Sequence, residues 1–164
     1  MNTGTCAIGV VSDSHGHVDD EILAALRGVD LILHAGDIGH EGVLVRLRAC
    51  APVVAVAGNG DAPIYHRYPW DQRVEVGSTR LLLCHWYDNF GRIHPKIARE
   101  LEEFRPHALV YGHTHEALNE RRRGTLFFNP GYAGPPLGGR PRSVGRLFVD
   151  ETGIRGELLP LGGA

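Results

Sequence analysis

Oxygen- and nitrogen-bearing side chains recur in short clusters along this chain: Asp13-Ser14-His15, Gly36-Asp37, Gly58-Asn59-Gly60-Asp61, His85 and Gly112-His113-Thr114-His115. Carboxylate oxygen, amide oxygen and imidazole nitrogen together suit divalent Mn, Fe, Zn or Ni. In Asp-x-His and His-x-His, residues two apart on extended backbone point the same way, so both members of a pair can reach one site. Asp37 stands alone, with two oxygens that could bridge two ions. Glycine before Asp37, Asn59 and His113 lets the backbone turn sharply without a Cβ clash.

Each cluster alone has an ordinary reading. Asp-Ser-His suits a helix N-cap region, Gly-Asp is a turn signal, His85 could be a satisfied structural histidine, and His-Thr-His could be a surface loop. Ten histidines in 164 residues hint at metal chemistry, because neutral imidazole is the commonest metal ligand, but drift in surface composition explains them as well. Position has to decide.

Residues 7–12 (AIGVVS), 31–35 (LILHA) and 53–57 (VVAVA) read as buried strands. Asp19 and Asp20 cap a helical pattern running to about Arg27, and residues 41–49 give a second helix before Pro52. This β-α-β-α-β run predicts parallel strands with right-handed crossovers. Residues 58–71 look like a loop. Strands follow over 73–76 and from about residue 80 to Cys84, a helix over 95–104 stops before Pro106, and 108–111 is another strand. From Leu118 onward the pattern becomes hairpins, over 117–121, 125–129, 143–149 and 154–159. The expectation is an α/β fold with an appended antiparallel half, in one domain spanning residues 1–164. Every cluster falls at a strand end, where open α/β sheets bind ligands. That conjunction outweighs the ordinary readings.

Taken in order, these motifs resemble those of the calcineurin-like metallophosphoesterase superfamily. The short length, and Asn129-Pro130-Gly131 after the His-x-His, are similar to its small YfcE-type phosphodiesterase branch. The resemblance covers nearly the whole chain. It implies a β-sandwich flanked by helices on both sides, a four-layer α-β-β-α arrangement with the site at one edge. It also implies two divalent metal ions. One would be held by Asp13, His15, Asp37 and His115, the other by Asp37, Asn59, His85 and His113, with Asp37 common to both. Mn²⁺ is favoured; Fe, Ni and Zn are the alternatives. The implied reaction is attack on a phosphate ester by a hydroxide bridging the ions, with Asn59 and His113 neutralising charge on the phosphoryl oxygens. A phosphodiester is favoured by the resemblance alone. A phosphomonoesterase, or a non-catalytic scaffold or binding module of the same fold, are the alternatives.

The chain departs from the family pattern in three places. Many relatives carry a histidine after Gly-Asn that can protonate the leaving group; here the residue is Gly60. His85 is usually followed by Gly, here by Trp86 and Tyr87, and Asn-Pro-Gly usually by Ser, here by Tyr132. His17 is the candidate substitute acid, and a solvent-facing loop histidine is the equal alternative. His34, inside a strand, reads as a core histidine or a support for the ligands. Arg140 and Arg142 could contact phosphate or simply lie on the surface.

Composition narrows the partners. A net charge of −2 gives no support for long-range nucleic-acid binding, with a local basic patch left open. No apolar run approaches the ~18 residues a membrane span needs. Three separated cysteines read as reduced thiols, and the first residues lack a signal-peptide pattern, so a cytoplasmic location is expected. The expected partner is a small phosphate-ester substrate. A homo-oligomer stays open: the aromatics Tyr65, Tyr68, Trp70, Trp86 and Tyr87 could wall a pocket, form a dimer patch or pack a long loop.

Overall fold

The computed structural model describes residues 4–89 and 91–162. The chain opens with β1 (Cys6–Val11), α1 (Asp20–Ala25), β2 (Leu31–His34), α2 (Glu41–Arg48) and β3 (Val53–Ala55). There follow a 3-10 helix (Ala62–Arg67), β4 (Asp71–Val76), β5 (Thr79–Cys84), and the two-residue strands β6 (Asp88–Asn89) and β7 (Arg92–Ile93). The remainder is α3 (Pro95–Glu103), β8 (Ala108–Val110), β9 (Leu118–Arg122), β10 (Thr125–Asn129), β11 (Arg142–Asp150) and β12 (Gly153–Leu161).

Two five-stranded sheets form, ordered β12-β11-β1-β2-β3 and β4-β5-β8-β10-β9. Strand alternation then builds the layers. Val10, Leu33, Leu81, Leu83, Val110 and Phe128 point into one shared interior between the sheets. Their neighbours point the other way: Val11 and Ile32 pack with Ile22 of α1 and Leu44 and Leu47 of α2. On the far side Leu82, Cys84 and Leu109 pack with Ile97 of α3. The result is the α-β-β-α sandwich that the family resemblance implies.

The expected antiparallel half does not form as a separate unit. The β9–β10 hairpin joins the second sheet, with β10 parallel to β8. The β11–β12 hairpin joins the first, antiparallel to β1. Each hairpin has apolar residues to bury, Leu126 and Phe128 in one, Leu147, Val149 and Ile154 in the other, and all of them enter the same interior layer. They can face each other only from opposite sheets. The stretch expected to be loop carries the 3-10 helix, with Pro63 near its start. The β6–β7 pair escapes sequence reading because two residues per strand are too few to show alternation.

Helix starts account for some of the histidine excess. The Asp19 side chain caps α1, accepting from Ile22 N as expected, while His40 caps α2 and His94 caps α3. No helix among the described residues is long and apolar enough to cross a membrane. The side chain of Tyr65 lies outside the described residues.

Candidate active site

The carboxyl ends of β1, β2, β5 and β8 and the turn after β3 meet at one rim of the sandwich. There the structure brings together all seven residues singled out as metal ligands. Ligand atoms of Asp13, His15 and His115 lie within 4.8 Å of one another, as do those of Asp13, Asp37 and His85. His85 Nε2 and His113 Nδ1 each lie 3.0 Å from Asn59 Oδ1. Asp37 divides its oxygens between the two sides, Oδ1 3.5 Å from His85 Nε2 and Oδ2 3.8 Å from His15 Nε2.

The backbone that delivers these groups differs from the expectation. Asp-x-His and His-x-His do not lie on extended segments. Seven described non-glycine residues have a left-handed φ, and five of them are Asp13, His15, Asp37, His113 and His115. L-residues avoid this region at a cost of order 1–3 kcal/mol each, and it persists only where the surroundings over-determine it. Here strand-to-turn hydrogen bonds do so: Asp13 N donates to Gly36 O, His15 N to Asp37 O and Gly112 N to His85 O. Of the three preceding glycines only Gly36 is left-handed, at φ +90°. Gly112 is needed for space, since a Cβ there would collide with Ser12 Oγ.

A ring of polar side chains orients the cluster. Ser12 Oγ donates to Asp13 Oδ2 (2.6 Å), which also accepts from His113 N (3.1 Å). Asp61 is fully buried and accepts from the backbone N–H groups of Ile38, Gly39 and Gly58, tying the β2 and β3 turns together. Asn129 Nδ2 donates to Gly112 O and Thr114 Oγ1, bracing the His113 turn. Sequence reading gave Ser12, Asp61 and Asn129 no such role. Asp61 and Asn129 sat inside quoted motifs, which was the available signal.

The electrostatics of the cluster suit a cation. Asp13 Oδ1 is buried and accepts no hydrogen bond among the described residues. An orphaned carboxylate oxygen is costly in a folded interior. Asp37 is 5% exposed. Against the desolvation of burial, hydrogen bonding and charge from His85, and the Gly60 N–H, hold its pKa down to about 2. Burial pushes the His85 pKa down, but the Asp37 hydrogen bond and the Asp13 and Asp37 charges outweigh it and leave the pKa raised. His85 Nδ1 lies 2.6 Å from Ala35 O, so the ring donates there and presents Nε2 to the cluster. Two carboxylates, one orphaned oxygen and imidazole nitrogens presented by backbone bonds fit divalent ions.

The other histidines fall outside these groups. His17 Nε2 contacts Asp19 Oδ2 (2.9 Å), and Asp19 is also held by Arg142 Nη2 (2.7 Å). Arg142 is 4% exposed and also donates to Gly134 O, so its work is structural. Arg140 instead reaches the site, with Nη1 2.8 Å from His115 Nδ1 and its guanidinium over the Tyr132 ring.

His34 supports the cluster from beneath. Gly36 N donates to its Nδ1, which leaves Nε2 to donate to Ser14 Oγ, 2.8 Å away. Burial pushes its pKa from 6.5 down to about 4. The unfolded chain takes up this proton below pH 6.5 and the folded chain only near pH 4. Stability from His34 is therefore full above pH 6.5 and declines as pH falls toward 4, by up to ~3 kcal/mol. We expect the stability gap between the parent and His34→Gln, measured by urea unfolding with chelator present, to narrow by ~2–3 kcal/mol from pH 7 to pH 4.5. A gap independent of pH would refute the neutral, buried assignment.

A layered sandwich with an Asp/Asn/His cluster at its strand-end rim is the arrangement that the resemblance to the metallophosphoesterases implies. The sequence profile of the calcineurin-like phosphoesterase superfamily domain matches residues 7–152, so the chain belongs to that superfamily. Within it, the chain is 37% identical over 168 residues to the phosphodiesterase YfcE of Escherichia coli K12, covering 87% of this chain and 88% of that protein. A predicted phosphoesterase from Streptococcus pneumoniae TIGR4 superimposes with a TM-score of 0.72 at 26% identity, covering 96% of this chain and 90% of that one. Vacuolar Protein Sorting 29 from Cryptosporidium parvum shares the fold, with a TM-score of 0.74 at 16% identity and coverage of 96% and 98%.

Proposed function

We propose that the chain is a phosphodiesterase working with two divalent ions, Mn²⁺ favoured. Asp13, His15, Asp37 and His115 would hold one ion, and Asp37, Asn59, His85 and His113 the other. The observation that carries this reading is the buried Asp13 Oδ1, which accepts no hydrogen bond among the described residues and lies 3.2 Å from His115 Nε2, inside a cluster of matching ligand atoms. When bound, such ions supply an acidified water as nucleophile and positive charge for the phosphoryl oxygens.

The chain's own residues do the rest. Ser12 fixes one oxygen of Asp13 and so aims the other into the cluster. The Ala35 carbonyl sets the tautomer and orientation of His85. Asn59 and His113, on the Trp86 side of the cluster, would neutralise charge developing on phosphorus oxygens. Gly60 has no side chain to offer the leaving oxygen a proton, and His17, whose Nε2 lies 2.9 Å from Asp19 Oδ2, would have to supply one from Nδ1.

The diester preference is supported by the likeness to YfcE, named a phosphodiesterase. The test compares bis(p-nitrophenyl) phosphate with p-nitrophenyl phosphate after chelation and metal return. We expect turnover of the diester to vanish with chelator and to return more fully with Mn²⁺ than with Mg²⁺, because imidazole ligands are softer than Mg²⁺ prefers. Full turnover in chelated protein would overturn the metal mechanism. Preference for the monoester would make the chain a phosphomonoesterase. No metal-stimulated hydrolysis of either would leave a binding or scaffold module.

A further inference from the structure

Beside the cluster lies an open cavity of about 810 Å³ that shares Asn59 and His113 with it. This volume is in the range of small-molecule sites and far exceeds what a phosphate needs. Its walls include Trp86, Tyr87 and Tyr111, and its polar lining includes Asp88, Glu116 and Arg122.

Trp86 is the telling residue. It is 41% exposed, yet it is held in place. Its ring stacks on His113, with centroids 5.0 Å apart and planes 29° apart, and its Nε1 donates to Asp88 O. The adjoining wall is equally fixed: the Tyr87 ring packs against Tyr111 (4.4 Å) and Phe127 (5.8 Å), and Arg122 reaches its hydroxyl (3.4 Å). A preordered aromatic wall beside a phosphate-ester site binds a flat ring at little cost in side-chain entropy.

We propose that this cavity is the subsite for the organic group of the substrate, and that the substrate is a phosphate ester of a flat aromatic or heteroaromatic group stacking on Trp86. The Asp88 and Glu116 carboxylates on the lining would accept hydrogen bonds from ring substituents. The proposal rests on the phosphoesterase reading, because the phosphate must sit at the cluster for its ester group to enter the cavity.

Phenylphosphonate and methylphosphonate, which lack a scissile ester, serve as probes. Their affinities are measured by calorimetry on Mn²⁺-loaded protein. We expect phenylphosphonate to bind ~10-fold more tightly, the scale of one aromatic stacking contact. Trp86→Ala should bring the ratio of affinities close to 1, and Trp86→Phe, which keeps a ring, should restore most of it. Equal affinities in the parent, or a ratio unmoved by Trp86→Ala, would overturn the subsite while metal-stimulated diester turnover leaves the phosphoesterase reading standing. If neither phosphonate binds and no metal-stimulated turnover is found, both fall together.

Discussion

Asp37→Ala is expected to lower diester turnover by at least ~10³-fold while leaving the protein folded. Losing one group that stabilises transition-state charge costs about 10²–10³ in rate. Asp37 turns one oxygen toward His85 and the other toward His15, so its loss strips a ligand from both proposed ion sites at once. The effect on stability should be smaller. The Gly60 N–H loses its acceptor, a cost of ~1–3 kcal/mol. Thermal unfolding and metal content are measured alongside turnover. Near-normal turnover with two bound ions would show that Asp37 is not the shared ligand.

The second large effect concerns the leaving group. General acid catalysis contributes ~10²–10⁴ in rate. Gly60 has no side chain to supply it, and His17 turns its Nε2 to Asp19, leaving only Nδ1 for the role. The rate should therefore depend steeply on leaving-group pKa when chemistry is limiting. Nitrophenyl diesters should be hydrolysed well, and diesters with alkyl leaving groups, cyclic nucleotides included, poorly. Gly60→His should flatten that dependence if the imidazole reaches the leaving oxygen. The structure adds a necessary control. A Cβ at residue 60 would lie 3.1 Å from Asp37 Oδ1, so any side chain there presses on the cluster. Gly60→Ala measures that pressure alone, and only the difference between the two variants reports proton donation. A shallow dependence in the parent that disappears on replacing His17 would instead identify His17 as the acid.

Much of this arrangement was legible in the sequence because β-strands advertise themselves locally. Runs such as LILHA and LLLC are buried on both faces, and each ends in a turn bearing a ligand type. The ligand list followed from those junctions together with the family resemblance. The left-handed backbone at Asp13, His15, Asp37, His113 and His115 was not legible, because nothing in Asp or His demands it. It is imposed by hydrogen bonds between turns far apart in the chain, such as Asp13 N to Gly36 O. The sheet membership of the two C-terminal hairpins was hidden for a related reason. Alternation shows that a strand has an apolar face, but not which partner covers it.

That membership bears on the order in which the molecule can assemble. In the first sheet, β1 is flanked on one side by β2, close in sequence, and on the other by β11, whose pairing joins Cys6 to Val149. One edge of β1 therefore has no lasting partner until residues 142–150 have been synthesised. At ~5–20 residues per second, translation keeps that edge open for several seconds, the setting in which unpaired strands associate with the wrong neighbour. Long-range closure of this kind also slows the search for the native pairing. The active-site rim inherits the delay: the Ser143 N–H that fixes Tyr132 O, and Tyr132 beside His115, belong to the segment and strand that close the sheet last.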